Sequence, residues 1–333
     1  KNGCTPLCAA INIENMEIIR LLLNNTKIDL NFQPTINSPL NIAVSTNNKE
    51  VIQLLINHPT LNTQFKSCKN YLLCSSAAAG NIEIFQQLLQ LPNIDVNFKI
   101  DGKTPLYFAI KSGNDDMVQK LLEYPNIDFD YQIKNDRNQY IKTSTIFNLA
   151  IWSNKPKIVQ LLLNNPKVDV NKKEKIERKK DVFEITPLQI AVEHSHLDII
   201  KILLESERIN INDVSISIED GIYVSKIEYS PIYYAAENQL YDVLKILLDS
   251  GKIDVNSKCI KTIPYPPNDR IFKNFSIWNP LIVASRKGYH EIVQLLLQHP
   301  NINTSFLYDL DYRDEDCDDN FMQTTEKVHK LLF

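Results

Sequence analysis

The chain has 333 residues, 44% of them hydrophobic and 23% charged, with a formal net charge of −4. No run of some 18 apolar residues occurs, and the first residues lack a charged segment followed by an apolar one, so neither a membrane span nor a signal peptide is expected. Seven glycines leave little from which to build a phosphate-cradling loop, and the slight negative charge gives nucleic acid no broad electrostatic footprint.

In chain order, the first element opens at Thr5-Pro6-Leu7. Threonine is a good N-cap because its hydroxyl accepts from an orphan backbone N–H, and proline suits the first helical position, where no N–H partner is needed. The same opening recurs with anchors at Pro6, Pro39, Leu72, Pro105, Ile146, Pro187, Pro231 and Pro280. The first four anchors stand 33 residues apart and the later ones 41 to 49 apart. Thr5, Ser38, Tyr71, Thr104, Thr145, Thr186, Ser230 and Asn279 precede them, mostly capping residues. Four residues after each anchor stands a small side chain: Ala10, Ala43, Ser76, Ala109, Ala150, Ala191, Ala235 and Ala284. Such a position lets two helices approach closely.

The cleanest copy runs from Lys103 to Asp130. A helix begins at Pro105 and buries Leu106, Ala109 and Ile110. Gly113 turns it in the left-handed conformation, and a second helix buries Met117, Val118, Leu121 and Leu122 before Tyr124-Pro125 ends it. The aliphatic doublet repeats from Leu22-Leu23 to Leu296-Leu297 without exception. At the inter-helix turn, Gly80, Gly113 and Gly288 fit, and Asn47 and Asn154 are plausible left-handed substitutes. Glu14, Ser195 and Gln239 fit less well, so looser turns are expected there.

This pattern resembles the ankyrin repeat family over nearly the whole chain. A period near 33 with Thr5-Pro6-Leu7, Thr104-Pro105-Leu106 and Thr186-Pro187-Leu188 is the family's signature. The closing Ile94-Asp95-Val96-Asn97 and its copies at 168–171 and 253–256 look like its loop strand. The histidine common after the proline-leucine pair is absent. The resemblance implies an all-α solenoid of eight stacked helix-turn-helix repeats with β-hairpin fingers, elongated in the C-terminal half. It also implies a non-catalytic scaffold or adaptor that binds protein partners on a concave face, or the recognition arm of a larger enzyme or channel. The repeat array is expected over 1–305, with an acidic linker and a terminal capping or partial-repeat helix over 306–333.

All the extra residues fall in four insertions, 131–144, 172–185, 213–229 and 257–278. Insertions of a repeat array collect on one face, often the binding face. In the third, alternating apolar residues from Val214 to Ile227 surround Asp220-Gly221, a hairpin signal. The fourth holds Pro264-Tyr265-Pro266-Pro267, which reads as an extended, polyproline-like loop. The second is basic, with Lys172, Lys173, Lys175, Arg178, Lys179 and Lys180. A solvated loop is favoured there over a nuclear-import or anionic-partner patch. In the acidic tail, Asp314, Asp316 and Asp318 alternate, but Asp319 stands where a calcium loop needs glycine and Thr325 where it needs glutamate. A flexible linker is the better reading, followed by a short helix carrying Val328, Leu331 and Leu332.

Six cysteines show no zinc spacing. Cys8 and Cys74 occupy one slot two repeats apart, near ~20 Å at ordinary helix spacing and beyond the about 7 Å a disulfide allows, so reduced thiols and a cytoplasmic location, with a nuclear one possible, are expected. The sequons at Asn24, Asn274 and Asn303 are then unused. His194-Ser195-His196 lacks a third metal ligand and reads as a surface turn. His58 and His299 share a place at helix C-termini, where they complement the dipole. No nucleophile stands beside a base, so no catalytic residue, cofactor or metal is assigned. A monomer is expected, as a fragment of a longer array. Because aromatic residues dominate binding hot spots, Trp152, Trp278, Tyr265, Tyr223, Tyr107 and Tyr233 are the candidate partner contacts. Replacing Trp152 and Trp278 by alanine is expected to weaken partner capture with little effect on unfolding.

Overall fold

The computed structural model describes residues 5–25, 28, 30, 38–58, 65–135, 140–220, 224–262 and 276–304. The chain forms two compact units, Lys1–Ile133 and Lys134–Phe333, with the boundary in the sequence of the first insertion. The first unit holds four helix pairs: α1 (Pro6–Asn12) with α2 (Met16–Leu23), α3 (Pro39–Ser45) with α4 (Lys49–Ile56), α5 (Phe65–Ala79) with α6 (Ile82–Leu89), and α7 (Pro105–Ser112) with α8 (Asp115–Leu122). The second holds four more: α9 (Ile146–Trp152) with α10 (Pro156–Asn164), α11 (Pro187–Glu193) with α12 (Leu197–Glu205), α13 (Pro231–Glu237) with α14 (Tyr241–Asp249), and α15 (Pro280–Arg286) with α16 (His290–Leu297). Within each unit, successive first helices pack on one another; the second helices do so from α10 through α16 and within the pairs α2 with α4 and α6 with α8.

Seven first helices begin where the sequence places them. The side chains of Thr5, Ser38, Thr104, Thr145, Thr186, Ser230 and Asn279 each accept from the backbone N–H three residues on. Such a cap contributes about 1 kcal/mol. The third pair departs from the expectation, because α5 starts at Phe65 and carries Tyr71 in its interior. Neither proline nor a capping hydroxyl stands at Tyr71-Leu72, so nothing halts the helix on its N-terminal side.

The inter-helix turns correct a second expectation. Glu14, Ser195 and Gln239 adopt the left-handed conformation, with φ of 54°, 52° and 56°, just as Gly80, Gly113 and Gly288 do with φ of 70°, 74° and 72°. All eight turns close with the same two bonds. The next residue's N–H reaches the carbonyl of the small residue, as from His196 to Ala191 at 3.0 Å and from Asn114 to Ala109 at 3.2 Å. The turn residue's own N–H bonds the carbonyl three back. This backbone pattern sets the conformation, and a side chain at φ > 0 merely costs roughly 1–2 kcal/mol.

The core lies between the helices. Leu55, Leu121, Leu162, Leu203, Leu247 and Leu296 are each 0% exposed, as is Ala at the small position in pairs two, four, five, six, seven and eight. Loop asparagines tie neighbouring repeats together. Asn171 Nδ2 donates to the Arg208 carbonyl at 2.8 Å while its Oδ1 accepts from the Asn210 N–H at 2.8 Å, and Asn97, Asn212 and Asn256 repeat the arrangement. His58 does complement a helix C-terminus, that of the preceding repeat, with Nε2 2.9 Å from the Leu23 carbonyl.

The all-α class needs correction. The insertions form β1 (Asp130–Asn135), β2 (Tyr140–Thr145), β3 (Glu174–Arg178), β4 (Asp181–Ile185), β5 (Ser215–Asp220), β6 (Val224–Tyr229), β7 (Cys259–Thr262) and β8 (Ser276–Trp278). The β3–β4 and β5–β6 hairpins are not separate ribbons. From β2 to β8 each strand pairs antiparallel with the next, within a finger and between fingers. Repeat stacking brings the fingers' unpaired edges together, and exposed edge N–H and C=O groups pair when they meet. The acidic tail, the terminal helix, the proline-rich stretch, Cys4, Cys317, Gly221 and the side chain of Cys68 lie outside the described residues.

Candidate functional site

Cross-strand partners point to the same side of a sheet, as do residues two apart along a strand. One row across the second unit's sheet is therefore Lys142, Ile176, Phe183, Ser217, Ile227 and Lys261, joined by register from β2 to β7. The row beneath it, on the same side, contains Glu174 opposite Ile185, Ser215 opposite Tyr229, and Cys259 opposite Trp278. That lower row faces the first helices. Ser215 Oγ accepts from the Thr186 N–H at 3.1 Å, and Glu174 and Ser215 are both 0% exposed.

Trp152, the last residue of α9, meets this row at Glu174. Its indole N–H lies 3.0 and 3.1 Å from the two carboxylate oxygens, while Ser144 Oγ donates to the carboxylate at 2.9 Å and Lys142 Nζ sits 2.8 Å away. The ammonium also lies 4.4 Å from the Trp152 ring centre, and the His194 ring approaches that indole at 4.1 Å. A buried carboxylate is tolerable only when paired and hydrogen-bonded, and here Lys142 supplies the opposite charge while two neutral donors complete the shell. Trp152 thus has its edge and ring engaged, and acts as a brace between α9 and the finger sheet. The wall of the cluster includes Glu174, which in sequence looks like an interruption in a basic loop.

One repeat on, Glu193 takes the place on α11 that Trp152 takes on α9. Gln189 Nε2 donates to its Oε1 at 3.0 Å, and the Tyr229 phenol of β6 interacts with the same carboxylate. Burial raises the Glu193 carboxyl above the usual range, offset in part by the Gln189 bond and by His194. Tyr234, half-buried on α13, lies with its ring 6.1 Å from that of Tyr229, and both Glu193 and Glu237 act on its phenol, which burial pushes up first of all. Glu237 has a cation, Lys287 at 3.6 Å. Glu193 has no ion pair among the described residues.

A family model described as "Ankyrin repeats (3 copies)" matches residues 1–67, 72–174 and 147–259, and one described as "Ankyrin repeat" matches 278–305. The chain belongs to the ankyrin-repeat family. Ankyrin repeats are, as a class, protein-interaction modules. No curated protein matches this chain in sequence. Among solved structures it is similar to the ankyrin repeat domain of Bcl-3, described as a unique member of the IkappaB protein family, at 20% identity and a TM-score of 0.48, covering 68% of this chain and 85% of that one.

The remaining candidates of the ankyrin array divide by exposure. Tyr233 is only 4% exposed and sits against Cys259, so it packs the core instead of offering a surface. Trp278 is half-buried, with the Arg286 guanidinium 4.3 Å from its ring centre. Tyr107, in the first unit, stacks edge-on with Phe108 and Tyr131 at 5.6 and 5.1 Å. Tyr223 and Tyr265 lie outside the described residues. In the basic insertion, Lys173 is 3.0 Å from Asp213 and Lys175 is 2.7 Å from Glu177, and Lys172, Lys175, Arg178, Lys179 and Lys180 are exposed. Burial pushes the Cys259 thiol up to about 11 and the Cys74 thiol up to about 12, and a neutral thiol is a poor nucleophile. Among the described residues no cluster of His, Cys, Asp and Glu could hold a metal, and no helix is long and apolar enough to cross a membrane.

Proposed function

We propose that this chain is a non-catalytic scaffold that captures a protein partner on the second unit, along the side of the finger sheet that faces the first helices. One alignment carries the reading: Ile176, Phe183 and Ile227 stand half-buried in a single row of that side, above the aromatic and carboxylate groups of Trp152, Glu193, Tyr229 and Tyr234. An apolar centre with polar and aromatic groups around it is the usual composition of an interface. Lys142 and Lys261 stand at the two ends of the row. The first unit, whose loops are short, supplies repeats and stability in this reading. Action inside the cell, cytoplasmic or nuclear, and as a monomer goes with this reading; the buried thiols of Cys74 and Cys259, outside any disulfide, fit a reducing compartment.

The test is quantitative capture by the intact chain and by single-charge variants. Phe183→Glu, at the centre of the row, is expected to reduce retention of a specific partner at least tenfold. Tyr241→Glu, an exposed aromatic on α14, is expected to leave it unchanged. Equal retention by both variants, with melting unaltered, would move the binding face elsewhere.

A further inference from the structure

The helix–finger junctions of the fifth and sixth repeats each bring together an aromatic ring and a carboxylate, exchanged between helix and sheet, with one omission. In the fifth, an aromatic ring on the helix (Trp152) and a carboxylate on the sheet (Glu174) together hold an ammonium, that of Lys142, over the ring and against the acid. In the sixth, the carboxylate is on the helix (Glu193) and the ring on the sheet (Tyr229), with a second ring, Tyr234, beside it. No lysine or arginine pairs with Glu193 among the described residues, and the basic group that acts on it is the neighbouring His194. Aromatic faces and carboxylates are the two groups that attract a desolvated cation.

We propose that the Glu193 site takes the ammonium or guanidinium of a lysine or arginine side chain contributed by the bound protein partner. This rests on the scaffold reading above, and it names the partner chemistry at one point of the face. Two observations support it. The molecule contains its own occupied version one repeat away. Glu174 and Glu237, the neighbouring carboxylates, each have a lysine, at 2.8 and 3.6 Å, while Glu193 has none. Gln189, 0% exposed, donates its Nε2 to Glu193 and leaves its Oε1 buried with no partner, but Asn148 Oδ1 is left so at the same position of the fifth repeat, so this acceptor is common to both repeats and does not set the sixth apart.

The groups that bear on Glu193 are Gln189 and His194 from α11 and its turn, Tyr229 from β6, Glu174 from β3 and Tyr234 from α13. His194 is committed through Nδ1 to the Ile190 carbonyl at 2.9 Å and through its ring to Trp152. Because burial raises the Glu193 carboxyl, the bound cation stabilises the ionised form and releases a proton where the free site is partly protonated. Binding therefore strengthens as pH rises through the Glu193 titration.

The probes are short capped peptides with a central arginine, lysine or citrulline, titrated into full-length protein labelled with 13C in its tyrosine rings. Tyr234→Phe serves to assign the resonances. Arginine and lysine peptides are expected to shift Tyr229 and Tyr234 saturably, and citrulline, which keeps the shape but loses the charge, is expected to leave them in place. Glu193→Gln, an isosteric and neutral change, is expected to weaken binding at least tenfold with the spectrum otherwise intact. Equal shifts from citrulline, or undiminished binding by Glu193→Gln, overturns the site. The two readings fail separately. A partner lost with Phe183→Glu but kept with Glu193→Gln removes this site and leaves the scaffold, whereas Glu193-dependent peptide binding with no partner lost to Phe183→Glu keeps the site and removes the proposed face.

Discussion

The fifth and sixth repeats share helix lengths, capping threonine, buried leucines and turn geometry, yet one closes its charge balance internally and the other does not. Where Lys142 reaches Glu174, the finger root is locked to α9 through an ion pair whose carboxylate is fully buried and whose lysine is 13% exposed, with two further donors. Where Glu193 meets Tyr229, the finger root and α11 are joined by neutral hydrogen-bonding groups around an acid that burial keeps reluctant to ionise. The difference teaches that the same backbone position can serve either to brace the scaffold or to await a ligand, according to whether the chain supplies the counter-charge.

The largest effect that would break this contrast is expected from Lys142→Ala. It leaves Glu174 buried without a cation, a situation that costs about 3–5 kcal/mol, and urea unfolding should show it. A loss below about 1 kcal/mol would mean that water already screens the pair. Trp152→Ala comes next, at roughly 2–3 kcal/mol, because it removes a half-buried ring and one donor to the same carboxylate. This replaces the sequence expectation that the substitution would hardly affect unfolding, and thermal melting distinguishes the two.

Glu193→Gln sharpens the contrast in the opposite direction. A carboxyl raised by burial stabilises the fold most at low pH and loses that contribution as pH rises through its folded-state value, above the ordinary 4.5. The neutral variant is therefore expected to be more stable than the parent at neutral pH, with the gap closing towards acid pH. A gap that stays constant with pH would show that Glu193 is not the responsible group. The smallest effect belongs to the turns. Ser195→Gly in the sixth repeat is expected to stabilise by less than about 1 kcal/mol, and Asn154→Gly in the fifth by less again, since asparagine tolerates φ > 0 better than serine.

Much of the fold was legible because its determinants are local. A hydroxyl before proline marks five helix starts, Thr145 and Asn279 cap two more, and the aliphatic doublets mark the buried side of each second helix. Tyr71 misled in the third repeat because an absent stop signal has no fixed place in a sequence. The turns at Glu14, Ser195 and Gln239 were misjudged because the conformation is set by two backbone hydrogen bonds and not by the residue occupying it.

The candidate site was less legible, for a geometric reason. Trp152 could be singled out as a large side chain, but its partners come from ten residues earlier, at Lys142, and twenty-two later, at Glu174, and only the stacking of fingers joins them. Hairpin patterning reveals pairing within a finger. Pairing between fingers, such as Lys142 opposite Ile176 or Phe183 opposite Ser217, depends on repeat spacing in three dimensions. Glu193 carried no signal at all until Tyr229 and Tyr234 were seen beside it.

The central claim, that recognition takes place on the helix-facing side of the second unit's fingers, is tested most directly by hydrogen exchange on the full chain with and without its captured partner. Protection is expected to concentrate in β3 through β6 and in the last turns of α11 and α13. Protection confined to the first unit, with those strands and turns exchanging as in the free protein, would contradict it.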